Sequence, residues 1–257
     1  MRNFFALSAA VLILLSLPLQ SQPTFAENFS YIAYDPANEP YHFPKNSQNQ
    51  GILGDILTAI GKITGDTFTA HYFPVARAVY LFDHGLVDIE PGINPEWRTS
   101  SPVKALYSIP FGQSTEVVVF KQGNKISIKD PKALFNQEVG IVRGYSYPKY
   151  DAYFKSGDII KVSNVSEALL LRQLKYGRLK QIFIGLQTRL YEQKNHPEYR
   201  QFEIGDAVSN LPVMMRIQPS KAEALPRINA AIKQLLANGT INKIYQKYSY
   251  QLAPENR

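Results

Sequence analysis

The sequence predicts an α/β protein in which a strand–helix rhythm runs twice along one chain. Three observations carry this prediction. Short apolar strands and amphipathic helices alternate from residue 27 to about 112, the alternation returns between about 113 and 213, and two helical stripes close the chain.

The elements follow in order. Phe29 to Tyr34 is a short strand that stops in the turn-rich Asp35-Pro36-Ala37-Asn38-Glu39-Pro40. After the loop Pro44 to Gly51, the residues Leu53, Ile56, Leu57, Ile60 and Ile63 recur at helical spacing. Asp55 suits that helix's first turn and Gly65 its end. Thr67 to Phe73 alternates as a strand does. Arg77 to His84 is a short helix stopped by Gly85, and Val87-Asp88-Ile89 opens another strand.

The second unit has buried-strand runs at Ser114 to Lys121 and at Val139-Gly140-Ile141-Val142. Asn164 with Glu167 three residues on resembles a capping box, ahead of a helix faced by Ala168, Leu171 and Leu174 and ended by Gly177. Gln181 to Ile184 follows as a strand. In the closing helices Ile228, Ile232 and Leu235 make one stripe, Gly239 stops it, and Ile241, Ile244, Tyr245 and Tyr248 make the next. Both stripes are expected to face the core.

The N-terminus carries an export address. Arg2 precedes an apolar run from Phe4 to Leu19, and Thr24-Phe25-Ala26 puts small residues three and one before a cut after Ala26. The run is shorter than the roughly 20 residues of a spanning helix, and Pro18 breaks it. Residues 1–26 are therefore expected to be a cleaved signal peptide, and the mature protein a soluble periplasmic one. The chain has no cysteine, which excludes disulfides, a thiol nucleophile, cysteine-based metal sites and a lipid-modified cysteine anchor. Net charge is +7, but Lys and Arg are scattered and export makes nucleic acid an unsuitable partner. The four histidines, His42, His71, His84 and His196, lack metal-ligand spacing, and no Gly-x-Ser-x-Gly, His-Glu-x-x-His or phosphate loop occurs. No cofactor and no metal are implied.

Four stretches together resemble the bacterial extracellular solute-binding proteins of family 3, periplasmic components of polar amino-acid ABC transporters. They are Pro40-Tyr41-His42-Phe43 with Gly51 to Leu57; Gly85-Leu86-Val87-Asp88 with Asn94 to Arg98 and Tyr107 to Phe111; Val139 to Gly144; and Asn229 to Tyr248. The resemblance implies a two-lobed type II periplasmic-binding fold whose two crossover strands form a hinge. The first lobe would comprise residues 27–112 and 214–257, the second 113–213, with crossovers near Phe111 and Val213. It further implies a monomeric binding protein, without catalysis, that closes on a small carboxylate-bearing solute and delivers it to an inner-membrane ABC permease.

By that resemblance Arg98, in Pro95-Glu96-Trp97-Arg98, would clamp the ligand carboxylate, its alternative being a surface ion pair with Glu96. Asn94 would add an amide contact. Gly144-Tyr145-Ser146 would open a helix whose free N–H groups bind an anion, with Arg143 either facing the cleft or ending a strand. Tyr41 would cover the ligand, and Glu39 would bind an amine. Arg77, at a helix start that disfavours cations, calls for a partner, either ligand or carboxylate. Trp97 is either a pocket wall or a plug between lobes.

Two positions depart from the family pattern. Lys180 replaces an aspartate in Gly177-Arg178-Leu179-Lys180, and Gly185 stands where amino-acid binders carry the aspartate that pairs with the ligand's α-amino group. An amine would then depend on Glu39 or Glu90, and the arginines favour an acidic or modified amino acid. Two other functions compete: a dehydratase of the same fold, and a ligand sensor. The sequence ends at Glu255-Asn256-Arg257 without the membrane helix that sensors continue into, which favours a free binding protein.

Overall fold

The computed structural model describes residues 26–248. Apart from Ala26, the leader expected over residues 1–26 lies outside them, as does the C-terminal Glu255-Asn256-Arg257. No helix among the described residues is long and apolar enough to cross a membrane.

The first strand–helix unit contains β1 (Asn28–Tyr34), α1 (Gly51–Thr64), β2 (Thr67–Phe73), α2 (Val75–Asp83) and β3 (Ile89–Ile93). β1 pairs in parallel with β2 along its length and with β3 through Tyr31 and Ile89. A two-residue β4 (Leu106–Tyr107) leads into β5 (Gly112–Phe120). The second unit continues through β6 (Glu138–Val142), α3 (Asp151–Ser156), β7 (Ile160–Asn164), α4 (Glu167–Lys175), β8 (Gln181–Gly185) and α5 (Leu186–Asn195). The chain returns by β9 (Glu203–Ile217) and ends in α6 (Leu225–Ala237) and α7 (Thr240–Tyr248).

Sheet order is β2-β1-β3-β9-β5-β8-β6-β7, with β4 also on β9. The 15-residue β9 joins the two halves, pairing antiparallel with β5 up to Val213 and with β3 from Met214 onward. Each half is thus a parallel α/β layer, and the antiparallel β5–β9 pair connects them. This is the two-lobed type II periplasmic-binding architecture.

Packing follows the apolar stripes. One cluster gathers Phe29, Ile56, Ile60, Met215, Ile232 and Ile241, so the C-terminal helices cover the first lobe. Another, around Val118, Phe120, Tyr150 and Phe183, fills the second. A third takes Ile32, Val75 and Phe82 from one side and Leu170, Ile182 and Ile184 from the other, so apolar contact is continuous where the lobes meet.

Several local expectations change. α1 begins at Gly51, a turn before Asp55, because Gly51 takes φ +86° and a Cβ there would collide with the Tyr41 carbonyl. Asp55 instead accepts hydrogen bonds from Lys247 (2.8 Å) and Tyr248 (2.9 Å), tying α1 to α7. Ser166, not Asn164, caps α4, its hydroxyl accepting from the Leu169 N–H at 3.3 Å. No helix opens at Gly144. The chain turns there at φ +94°, and the next helix starts only at Asp151.

Candidate functional site

A cleft of about 750 Å³, its open mouth included, lies between the lobes at the β5–β9 connection. Its walls are aromatic: Tyr34, Tyr41, Trp97 and Tyr245 come from the first lobe, Tyr145 and Tyr147 from the second. Trp97 is a pocket wall. The lobes are latched beside the cleft by Asn38, whose Nδ2 donates to Tyr145 Oη (2.9 Å) and whose Oδ1 accepts from Thr188 Oγ1 (3.0 Å). Burial drives the pKa of Tyr41, Tyr145 and Tyr147 well above the ordinary phenol value, so these rings stay neutral. His42, also on the wall, is lowered by burial to about 3 and is likewise neutral.

The functional side chains that sequence reasoning passed over are Glu116 and Glu167. Glu116 sits on β5 in register with Gly185 of β8, and Glu167 opens α4. Both carboxylates converge on Gly185: a Cβ at that glycine would lie 3.5 Å from Glu116 Oε1 and 3.5 Å from Glu167 Oε1. Glu167 Oε1 accepts from the Gly185 N–H at 2.8 Å, while Oε2 of each glutamate is buried without a partner among the described residues. Burial, reinforced by the neighbouring Glu167 charge, pushes Glu116 well above the usual carboxylate range. Burial also raises Glu167, to about 7, against the lowering effect of the Gly185 N–H. A charge in mid-strand and a glutamate beside a helix cap are ordinary features in sequence. Only their pairing across β5 and α4 makes a site.

Arg98 lines the cleft, but its charge is already matched. Its Nε (3.1 Å) and Nη2 (2.6 Å) donate to buried Glu90, and Nη1 donates to the Trp97 carbonyl (3.0 Å). Glu90 also accepts from Arg216 Nη1 at 2.8 Å. Burial alone would raise the Glu90 pKa, yet Arg98 and Arg216 outweigh it and hold the carboxyl below the usual range. Arg98 is therefore part of a buried ion network rather than a surface pair with Glu96: Glu90 and the Trp97 carbonyl take three of its five N–H groups, and Glu90 is itself held by both Arg98 and Arg216.

The remaining expected residues divide. Tyr41, Tyr145 and Ser146 line the cleft. Asn94 does not: its side chain caps the turn at Glu96 N (2.9 Å) and donates to the Pro212 carbonyl (2.8 Å), anchoring the arginine turn to β9. Glu39 is outside the wall and faces Tyr191 and Glu192 of α5. Arg143 is exposed and off the cleft. Arg77 is exposed as well, its guanidinium 4.9 Å above the Tyr80 ring, with solvent rather than a carboxylate or cleft ligand screening the charge. The turn after Gly144 offers no anion site, because Asp151 already accepts from Ser146 Oγ (2.6 Å) and from the Tyr147 N–H (3.0 Å). Of the positive groups behind the expected carboxylate preference, Arg98 alone lines the cleft, where it is ion-paired with Glu90.

Gly144 acts by its size. A Cβ there would lie 2.9 Å from the Ala76 nitrogen of α2, across the lobe boundary. Backbone cannot yield as a side-chain tip does, so Gly144→Ala should hold the lobes apart and add strain at positive φ. The expected outcome is a loss of about 1 kcal/mol in unfolding free energy. Solute affinity should weaken by an order of magnitude or more, measured by calorimetry beside denaturant melts.

The profile of the bacterial extracellular solute-binding proteins, family 3, matches residues 31–251. The chain belongs to that family. Solved structures of the same fold include an ancestral arginine-binding protein bound to arginine, 21% identical with a TM-score of 0.72, covering 86% of this chain and 97% of that one. A histidine kinase sensor domain with similarity to periplasmic binding proteins is 18% identical with a TM-score of 0.73, covering 88% and 98%. The ancestral amino acid-binding protein AncCDT-1, described as a precursor of cyclohexadienyl dehydratase, is 20% identical with a TM-score of 0.69, covering 87% and 96%. At these identities the likeness is one of fold. No curated protein matches the chain in sequence.

Proposed function

We propose that this family 3 member is a periplasmic solute-binding protein: it captures one small solute, an amino acid or a related amine, by lobe closure and delivers it to an inner-membrane ABC permease. The observation that carries the reading is the aromatic cleft between lobes latched by Asn38, which joins Tyr145 and Thr188 of the second lobe. Enclosure of a small, mostly apolar site with a few polar groups is what capture by closure requires. The hinge of the proposal is the β5–β9 pair where Gly112 faces Val213, with residues 27–112 and 214–257 in one lobe and 113–213 in the other. Arginine- and L-glutamate-bound neighbours of this fold support an amino-acid-like ligand size.

The test is a thermal-shift screen of amino acids, amines, organic acids and oligosaccharides on the mature protein. A true ligand at about 100 times its Kd should stabilise by about 2.7 kcal/mol. That corresponds to roughly 5–10 °C in melting temperature for a chain of this size. Small-angle scattering should show compaction with the same compound. The enzyme reading has one observation behind it, the raised Glu167 carboxyl, which could serve as an acid near neutral pH. Consumption of a compound without compaction would assign the chain to that class instead.

A further inference from the structure

The charge balance of the cleft identifies a class of solute, an inference that rests on the solute-binding reading above. The wall presents two carboxylates and no uncommitted cation. Arg98, the one arginine on it, is neutralised by Glu90. The groups facing the two glutamates are the Gly185 N–H and Thr188, Ser114 on β5, Glu192 of α5, and the neutral phenols of Tyr41, Tyr145 and Tyr147. None carries positive charge. An anionic ligand would find no counter-charge in a buried site where the two carboxyls already resist ionising, whereas a cation supplies the counter-charge that lets them ionise. The phenol rings offer their faces to the same cation.

We propose that the cleft selects a small organic cation whose ammonium or guanidinium group sits between Glu116 and Glu167 at Gly185, and that a ligand carboxylate is not required. A diamine or a guanidino-amine is the class that fits. Gly185 then has a positive role. The glutamates converge where its Cβ would begin, so the missing side chain leaves room for the ligand's charged head. The function of an acidic residue at position 185 is taken over by two residues elsewhere in the chain.

Calorimetry on the mature protein with matched pairs decides it: lysine against cadaverine, arginine against agmatine, each pair differing only by the carboxylate, with glutamate and succinate as anionic probes. The decarboxylated member should bind at least as tightly as its amino acid, and the anions should not bind. Glu116→Gln and Glu167→Gln should each weaken cation binding on the order of 100-fold, because one partner of a buried charge pair is lost. Wild-type affinities judge the proposal even if a variant folds poorly. Amino acids binding more than about tenfold tighter than their decarboxylated twins, more than about 1.4 kcal/mol, would reveal a carboxylate clamp and overturn it. So would binding of glutamate or succinate, or unchanged cation affinity in folded glutamine variants. Silence of all four cationic probes overturns it too. In each of these cases the solute-binding reading survives if any member of the wider library closes the lobes.

Discussion

Glu90→Gln is expected to destabilise the protein by about 3–5 kcal/mol, because it strips two buried guanidinium groups of their shared counter-charge. Glu90 is fully buried and accepts from Arg98 at 3.1 and 2.6 Å and from Arg216 at 2.8 Å. Arg216 is itself fully buried, lies 3.9 Å over the Phe82 ring, and retains Asp83 at 2.9 Å. Arg98 has no second carboxylate. The glutamine amide would also point an N–H toward a donor that needs an acceptor. At roughly 2–4 °C per kcal/mol the melting temperature should fall by about 6–20 °C. Arg98→Ala is the informative companion. It should cost stability first, by leaving Glu90 with Arg216 alone. An unchanged melt with affinity lost by about 2–5 kcal/mol would return Arg98 to the role of ligand clamp.

Glu167→Gln should act in the opposite direction, making the ligand-free protein more stable than wild type at alkaline pH. In the unfolded chain this carboxyl titrates near 4.5, but burial keeps it protonated in the fold up to about 7. Between those values the native state holds more protons than the unfolded one, so wild-type stability falls as pH rises. The glutamine variant removes this penalty. Its advantage should be absent near pH 4, grow through pH 7 and reach about 1–3 kcal/mol by pH 8. Glu116→Gln should behave alike, since burial and then Glu167 raise its pKa. His42 requires that the variant be compared with wild type. Lowered from 6.5 to about 3, it makes stability rise with pH over an overlapping range, equally in both proteins. Denaturant melts at half-unit steps from pH 4 to 8 measure the difference. A flat difference, or one that grows toward low pH, would show that burial does not hold the Glu167 carboxyl protonated in the fold. The two expectations separate the acidic groups by purpose: Glu90 is satisfied and stabilising, whereas Glu116 and Glu167 impose a cost in the empty cleft that a bound cation would relieve.

The sequence by itself determined the elements and their faces. Helical spacing of Leu53, Ile56, Leu57 and Ile60 forces one side of α1 inward, and all four are buried, whereas Ile63, expected on the same stripe, is exposed in the last turn. Gly65 ends that helix in the left-handed conformation that its lack of a Cβ permits. Ile228, Ile232 and Ile241 bury as their stripes require. These are short-range consequences of periodicity and backbone sterics, so a one-dimensional reading reaches them. It reached Tyr41, Tyr145 and Ser146 as cleft residues through the order of the motifs around them.

Charge partners were decided by the tertiary structure. Arg98 finds Glu90 eight residues back, and Arg216 joins the same carboxylate from 126 residues away. No spacing rule distinguishes a guanidinium spent on the fold from one offered to a ligand. Asn38 meets Thr188 across 150 residues, and Gly144 meets Ala76 across the lobe boundary. Glu116 faces Gly185 only because the antiparallel register of β5 on β8 aligns them, and α4 then delivers Glu167 to the same point. Hydrophobic pattern is written locally because each residue buries against whatever core it reaches. Electrostatic pairing is specific to one partner at about 3 Å, and that partner is chosen by chain topology.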